Sequence, residues 1–157
     1  MCVFLAISLR SFYIAGSLKQ LDAIRHLAST LRGLGHCVFD DWTAIALDAD
    51  ARMLAYGKER GWTRLRTLAS PIPVAQAKVD GDHIRASTDF ILVLPAGRSA
   101  HIEFGYALGR GLRVWLLDLE ENSSPKHHFD IMHGLMDLAK YAYNEEELCA
   151  LIMHRVV

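Results

Sequence analysis

The segment Pro95-Ala96-Gly97-Arg98-Ser99-Ala100-His101-Ile102-Glu103 carries the residue types and spacing most suited to chemistry. It follows an apolar run and opens a helical pattern. The free N–H groups and partial positive charge of a helix N-terminus attract anions there. Ser99 can cap that helix or hold a phosphate, with Gly97-Arg98 beside it adding a cation. Glu103 falls on the same helical face as Ser99, one turn further in. The helix dipole and capping favour its ionised form. An ionised carboxylate on a pocket floor can attack a carbon or stabilise a developing cation, as in glycoside cleavage. The plain alternative is a solvent-facing Glu in a first helical turn. Gly16-Ser17, after another apolar run, is a second candidate: Gly allows close backbone approach to a ligand, and Ser17 is a cap or phosphate donor. Most such junctions are simple turns. Asp40-Asp41-Trp42 is a third, with Trp42 either stacking on a flat ring or filling the core.

Alternating strands and helices must position these residues. Phe12-Tyr13-Ile14-Ala15-Gly16 is a buried strand, and Leu21, Ile24, Ala28, Leu31 and Leu34 form one face of an amphipathic helix closed by Gly33 and Gly35. His36 to Asp40 is a second strand, so the first βαβ unit spans about thirty residues. From Asp48 to Ala69 the pattern is helix-like but irregular, interrupted by Gly57 and Gly61, and carries Lys58, Arg60, Arg64 and Arg66 around Trp62. That run covers a ligand, touches nucleic acid or, as is commoner, is a solvated face with one aromatic anchor. Val74 to Ala86 is a further helix, Phe90 to Leu94 an all-apolar central strand, Ser99 to Arg110 a helix capped by Ser99, and Leu112 to Leu117 a fourth strand. A polar loop over 120–128 and short helices over 129–139 and 145–154 complete the expectation. The pattern predicts one α/β domain spanning the chain, three layers with a mostly parallel sheet of four to five strands, for which the resemblance given below implies a flavodoxin/Rossmann-like arrangement. Ligands in such folds bind at the carboxyl ends of the strands.

Composition narrows the function. The 157 residues, 52% hydrophobic and 22% charged, suffice for one core. Lys plus Arg number 17 against 18 Asp plus Glu, a net charge of −1, which argues against a general nucleic-acid or membrane-surface binder. Three cysteines without a C-x-x-C pair suit a reducing cytoplasm. The run Val3 to Ile7 is too short for a signal-peptide core or a membrane span. His127, His128 and His133 lack metal-ligand spacing. Neither a phosphate-loop signature nor a dinucleotide-binding Gly-x-Gly-x-x-Gly is present.

Phe12 to Ser17, the Asp80…Ile84…Asp89 spacing, and Leu94 to Ala107 with its Ser-x-x-x-Glu-x-Gly-Tyr-x-x-Gly segment together resemble the nucleoside 2-deoxyribosyltransferase-like superfamily. That superfamily includes the transferases proper and nucleotide N-glycoside hydrolases. The resemblance runs from about Phe12 to Leu151. It implies a flavodoxin-like fold and cleavage of an N-glycosidic bond between a base and a (deoxy)ribose. Glu103 matches the nucleophile and Asp80 the acid/base. The spacing from Asp80 to Asp89 is one residue longer than usual, so Asp82 is the alternative acid/base. Tyr13 matches the position near sugar and nucleophile. Asp130-Ile131-Met132 resembles the Asn-x-Met segment that enters a neighbouring subunit's site, with Asp in place of Asn. Gly97-Arg98 replaces acidic residues of the transferases, which with Ser99 suits a 5′-phosphate better than a bare nucleoside. No cofactor is implied, and a homodimer or higher oligomer with shared sites is. Two rival expectations are a nucleotide-binding or sensing module without turnover, and a glycohydrolase of NAD or a related dinucleotide.

Overall fold

A computed structural model describes residues 9–45, 49–119 and 140–154. Five strands form one sheet in the order β2-β1-β3-β4-β5: β1 (Ser11–Ala15), β2 (Cys37–Phe39), β3 (Asp89–Leu94), β4 (Arg113–Asp118) and β5 (Lys140–Ala142). All neighbouring pairs are parallel. This is the flavodoxin-like order, whose chain direction across the sheet reverses between β1 and β3.

Three layers follow from which residues each strand turns to which face. Phe12, Ile14, Ile91, Val93, Trp115 and Leu117 pack against Ile24, Leu27, Ala28 and Leu31 of α1 (Leu21–Gly33) and Leu148 and Ile152 of α7 (Glu145–His154). The alternate residues Tyr13, Ala15, Phe90, Leu92, Leu94, Val114 and Leu116 face Ile84 of α5 (Pro71–Ala86) and Ala100, Phe104 and Ala107 of α6 (Arg98–Gly109). Burial on both faces explains why β3 is apolar after its first residue. Among the described residues no helix is long and apolar enough to cross a membrane.

Several boundaries differ from the sequence expectation for identifiable reasons. The helix expected from Val74 starts at Pro71, because proline at the first helical positions gives up only an N–H that has no intrahelical acceptor. Ser99 is not the cap of α6. Gly97 holds that position with extended backbone (φ −82°, ψ 175°), and Ser99 lies inside the first turn. The fifth strand, β5, is a three-residue addition at the sheet edge beside β4. The loop expected over 120–128 and the helix over 129–139 lie outside the described residues.

The irregular stretch after residue 48 is two helices, α3 (Ala49–Glu59) and α4 (Arg64–Leu68), following the short α2 (Trp42–Ile45). Gly57 does not interrupt α3; the chain turns at Gly61, whose φ is +61°. Gly57 is where α4 crosses α3. A Cβ added there would lie 2.0 Å from Thr67 Oγ1 and 2.7 Å from its Cγ2. Thr67 cannot yield easily, since it is buried and its hydroxyl donates to the Thr63 carbonyl at 3.0 Å. Gly→Ala inside a helix normally stabilises by about 1 kcal/mol. Here the sign reverses: Gly57→Ala is expected to cost roughly 1–3 kcal/mol by overpacking, measured as a lower denaturant midpoint. An unchanged or higher midpoint would mean that α3 and α4 are not held together at this crossing.

Candidate active site

Tyr13, Asp80 and Glu103 converge on the α5–α6 face of the sheet, over the paired strands β1 and β3. β1 brings Tyr13, whose ring stacks on Phe90 at 5.5 Å and whose side chain is buried by that packing. Asp80 lies one turn before the buried Ile84 on α5, so the residue spacing that buries Ile84 turns Asp80 inward. Glu103 is in the second turn of α6, next to the buried Phe104. Asp80, Glu103 and Ser99 all line a cavity of about 980 Å³ between α3, α4, α5 and α6.

Removal from water dominates the electrostatics. Burial pushes the Glu103 carboxyl up to about 7; the Asp80 charge pushes the same way, and the Tyr13 hydroxyl opposes. The helix dipole and capping expected to favour an ionised Glu103 are thus opposed by burial, which raises its carboxyl. Burial also raises Asp80, held back by the amide of Gln76, which donates to Oδ1 at 3.0 Å, and by nearby His83. Tyr13 is raised far above its ordinary value by burial first and by the charges of Glu103 and Asp80 second. Tyr13 and Glu103 sense one another, but no hydrogen bond of ordinary geometry joins them. Among the described residues the Tyr13 hydroxyl and the Ser17 Oγ are both buried without a hydrogen-bond partner.

The remaining sequence candidates divide. Asp82 points the other way from Asp80, exposed and ion-paired with Arg85. Asp80, not Asp82, is thus the carboxylate brought to Glu103. Gly16 admits close approach, but from the fold itself: an added Cβ would meet Ile24 Cδ1 at 2.6 Å and the Val93 carbonyl at 3.2 Å. Trp42 packs against both halves of the core and donates from Nε1 to the Ile14 carbonyl at 2.7 Å. Asp41, Gly97 and Arg98 are exposed. Arg60 and Arg66 lie over aromatic rings of their own segment, Arg60 at 3.5 Å from the centre of Tyr56 and Arg66 at 4.9 Å from that of Trp62. Asp130 and Met132 lie outside the described residues, as do His127, His128 and His133. Among the described residues no three His, Cys, Asp or Glu side chains form a group that could hold a metal ion.

Sequence reasoning missed Gln76, which tethers Asp80, and the cavity walls from α3 and α4. Gln76 was findable, since it precedes Asp80 by one helical turn. The walls were not, because they depend on how α3 and α4 fold back over α5.

No protein-family model matches the chain, and no curated protein matches it in sequence. Among solved structures it is similar to the CMP N-glycosidase BcmB of Clostridium botulinum, at 19% identity and a TM-score of 0.54. The match covers 91% of this chain and 97% of that one, so the likeness of fold extends over nearly the whole of both.

Proposed function

We propose that the protein cleaves or transfers the N-glycosidic bond of a nucleoside or nucleoside 5′-monophosphate, with Glu103 as nucleophile and Asp80 as acid/base. The observation that carries this reading is the pair of half-buried carboxylates, Asp80 and Glu103, lining one cavity beside the unpartnered Tyr13 hydroxyl. The fold shared with a CMP N-glycosidase and the sequence resemblance stated above agree with it. Glu103 attacks the anomeric carbon as the carbon–nitrogen bond breaks, and the Asp80 carboxyl gives its proton to the departing base. Water or a second base, deprotonated by Asp80, then displaces Glu103 and restores both groups. Tyr13 and Ser17 find their missing partners on the sugar. The Ser99 end of α6, with Arg98, receives the 5′ side. Asp130 and Met132 complete the site of a neighbouring copy in a homo-oligomer, and the free thiols Cys37 and Cys149 suit the reducing cytoplasm.

The direct test is chromatography of free base from a panel of nucleosides and 5′-monophosphates, with and without a second base. Wild-type release that disappears in Glu103→Gln supports the reading, and a new nucleoside marks a transferase. No release by a folded protein sinks it for that panel.

The active form carries one proton on the carboxylate pair. Such a pair titrates as a unit, in a lower step above the ordinary aspartate range and an upper step near 7. In the free protein Gln76 and His83 hold Asp80 down, so the shared proton favours Glu103. Positive charge developing on the sugar draws Glu103 into its ionised form and shifts the proton to Asp80. A bell-shaped kcat/KM is expected, peaking at mildly acidic pH and falling about tenfold per unit well above 7. Asp80→Asn should lower kcat by roughly 10²–10⁴-fold on poor leaving groups. It should also move the midpoint of Glu103 ionisation below 7, since the charge that helped raise it is gone. A flat profile across pH 5–9 in the wild type would rule out the shared proton.

A further inference from the structure

We propose that Arg85 and Tyr106 are positioning residues, whose hydrogen bond ties α5 to α6 and fixes the roll of α5 so that Asp80 faces Glu103. This rests on the roles proposed above for that carboxylate pair. The need for a tie arises from unequal anchoring. α6 buries Ala100, Phe104 and Ala107, three side chains on one face, so the core sets its roll. α5 is longer, at 16 residues, yet Ile84 is its one fully buried side chain. A helix held at one point can turn about its own axis. Asp80 lies one turn before that point, and such a turn would swing it away from Glu103.

The residues on either side of Ile84 close off that freedom. Two positions apart, they leave the helix on nearly opposite sides. His83 stacks on Phe39 of β2, with ring centres 4.7 Å apart and planes 17° from parallel. Arg85 reaches α6 instead: Nη1 donates to the Tyr106 hydroxyl at 3.0 Å, and Nη2 pairs with Asp82, one turn back on α5. Gly81 gives the guanidinium its seat, since a Cβ added there would lie 3.3 Å from Arg85 Nη1. Arginine suits this task because its planar fork holds two partners in fixed directions. Tyr106 lies three residues after Glu103, on the next turn of α6. Asp80, Gly81, Arg85, Glu103 and Tyr106 all line the same cavity, so the tie spans the cleft beside the carboxylate pair.

The test is Tyr106→Phe, which removes the accepting oxygen and leaves charge and ring in place. Tyr106 is 39% exposed, so the variant should fold, as circular dichroism checks. Carbon-13 NMR of the carboxyl groups reads the Glu103 midpoint, about 7 in the wild type, with no substrate present. The groups facing the pair are Tyr13 on β1 and Gln76 and His83 on α5, and the substitution alters none of them. We expect the midpoint to fall, because a rolled α5 withdraws the Asp80 charge that helps raise it. On the best-cleaved nucleotide of the panel, kcat should drop about tenfold or more at similar KM. Arg85→Lys, which keeps the charge but loses the fork, should do the same. A wild-type midpoint in Tyr106→Phe overturns the proposal even if kcat falls, since Tyr106 would then act by touching substrate. A lowered midpoint in a protein that cleaves nothing supports the tie, and the N-glycosidase reading then fails separately.

Discussion

Replacing Glu103 by Gln is expected to abolish base release, by at least roughly a thousandfold in kcat, and to make the protein harder to unfold above pH 7. The two effects have one cause. A carboxylate that attacks an anomeric carbon must be stripped of water, and here burial, joined by the Asp80 charge, holds the Glu103 carboxyl at about 7. An amide of the same shape cannot form the glycosyl ester, so the first effect follows. For the second, the folded-state value lies above the 4.5 of an ordinary glutamate. The folded state therefore binds this proton more tightly than the unfolded chain. The stability that Glu103 contributes is complete below about 4.5 and is lost as pH rises through about 7. Gln never ionises, so the variant escapes the loss, which is on the order of 2–3 kcal/mol at pH 8. For a domain of this size that is a rise in melting temperature of roughly 4–12 °C at pH 8, with little change at pH 4. Thermal melts at both pH values check it. A variant that melts below wild type at pH 8 would show that Glu103 is a solvated surface group, and the case for a strained, functional carboxylate would go with it. A variant that is stabilised yet fully active would keep the burial and remove the nucleophile.

The balance between dipole and desolvation also marks where the sequence stopped being readable. Spacing alone showed that Glu103 shares a face with Ser99, and that β3 is buried on both sides, because period and apolarity are local properties. Which effect governs Glu103 depends on Phe104 packing below and Tyr13 arriving from β1, contacts that no local pattern encodes. Asp80 and Asp82 show the same limit with a way through. Two residues apart on a helix, they point to nearly opposite sides, and only the buried Ile84 one turn beyond Asp80 says which side is inward. The start of α5 was misplaced because prolines read as breakers, although at a first turn they are tolerated. Gly57 was read as a break for a parallel reason: glycine weakens a helix in isolation, and the sequence hides that Thr67 needs the space its missing side chain leaves. β5 escaped because three residues carry too little periodicity to register.

Asp89 was legible only as part of a spacing, yet the structure makes it the hub of the opposite end of the sheet, and its removal is expected to have the largest effect on stability. It opens β3 and is fully buried. Oδ2 accepts from Arg10 Nε at 3.0 Å, Arg113 at 3.1 Å and Thr88 Oγ1 at 2.7 Å. Oδ1 accepts from Trp115 Nε1 at 2.8 Å and from the second guanidinium nitrogen of Arg10. Arg10 is itself 5% exposed and also donates to the Ile152 carbonyl at 3.1 Å, so the cluster ties β1, β3, β4 and α7 together. Asp89→Ala leaves the Arg10 charge buried without its counter-ion, and removing one partner of such a pair costs about 3–5 kcal/mol. That should lower the melting temperature by roughly 6–20 °C. Asp89→Asn keeps an acceptor for Trp115 but not the charge, and should fall between Ala and wild type. The buried charge, rather than the lost volume, is identified by a double variant: Arg10→Met with Asp89→Leu should recover much of the loss, because a well-packed apolar pair can replace a buried ion pair. Since Asp89 opens β3 and Pro95 follows its other end, the hub lies a strand's length from the cleft. The folded fraction of each variant should therefore keep the wild-type KM. A loss below about 1 kcal/mol in Asp89→Ala, no more than an ordinary hydrogen bond contributes, would mean that Arg10 reaches solvent and that the hub is not closed.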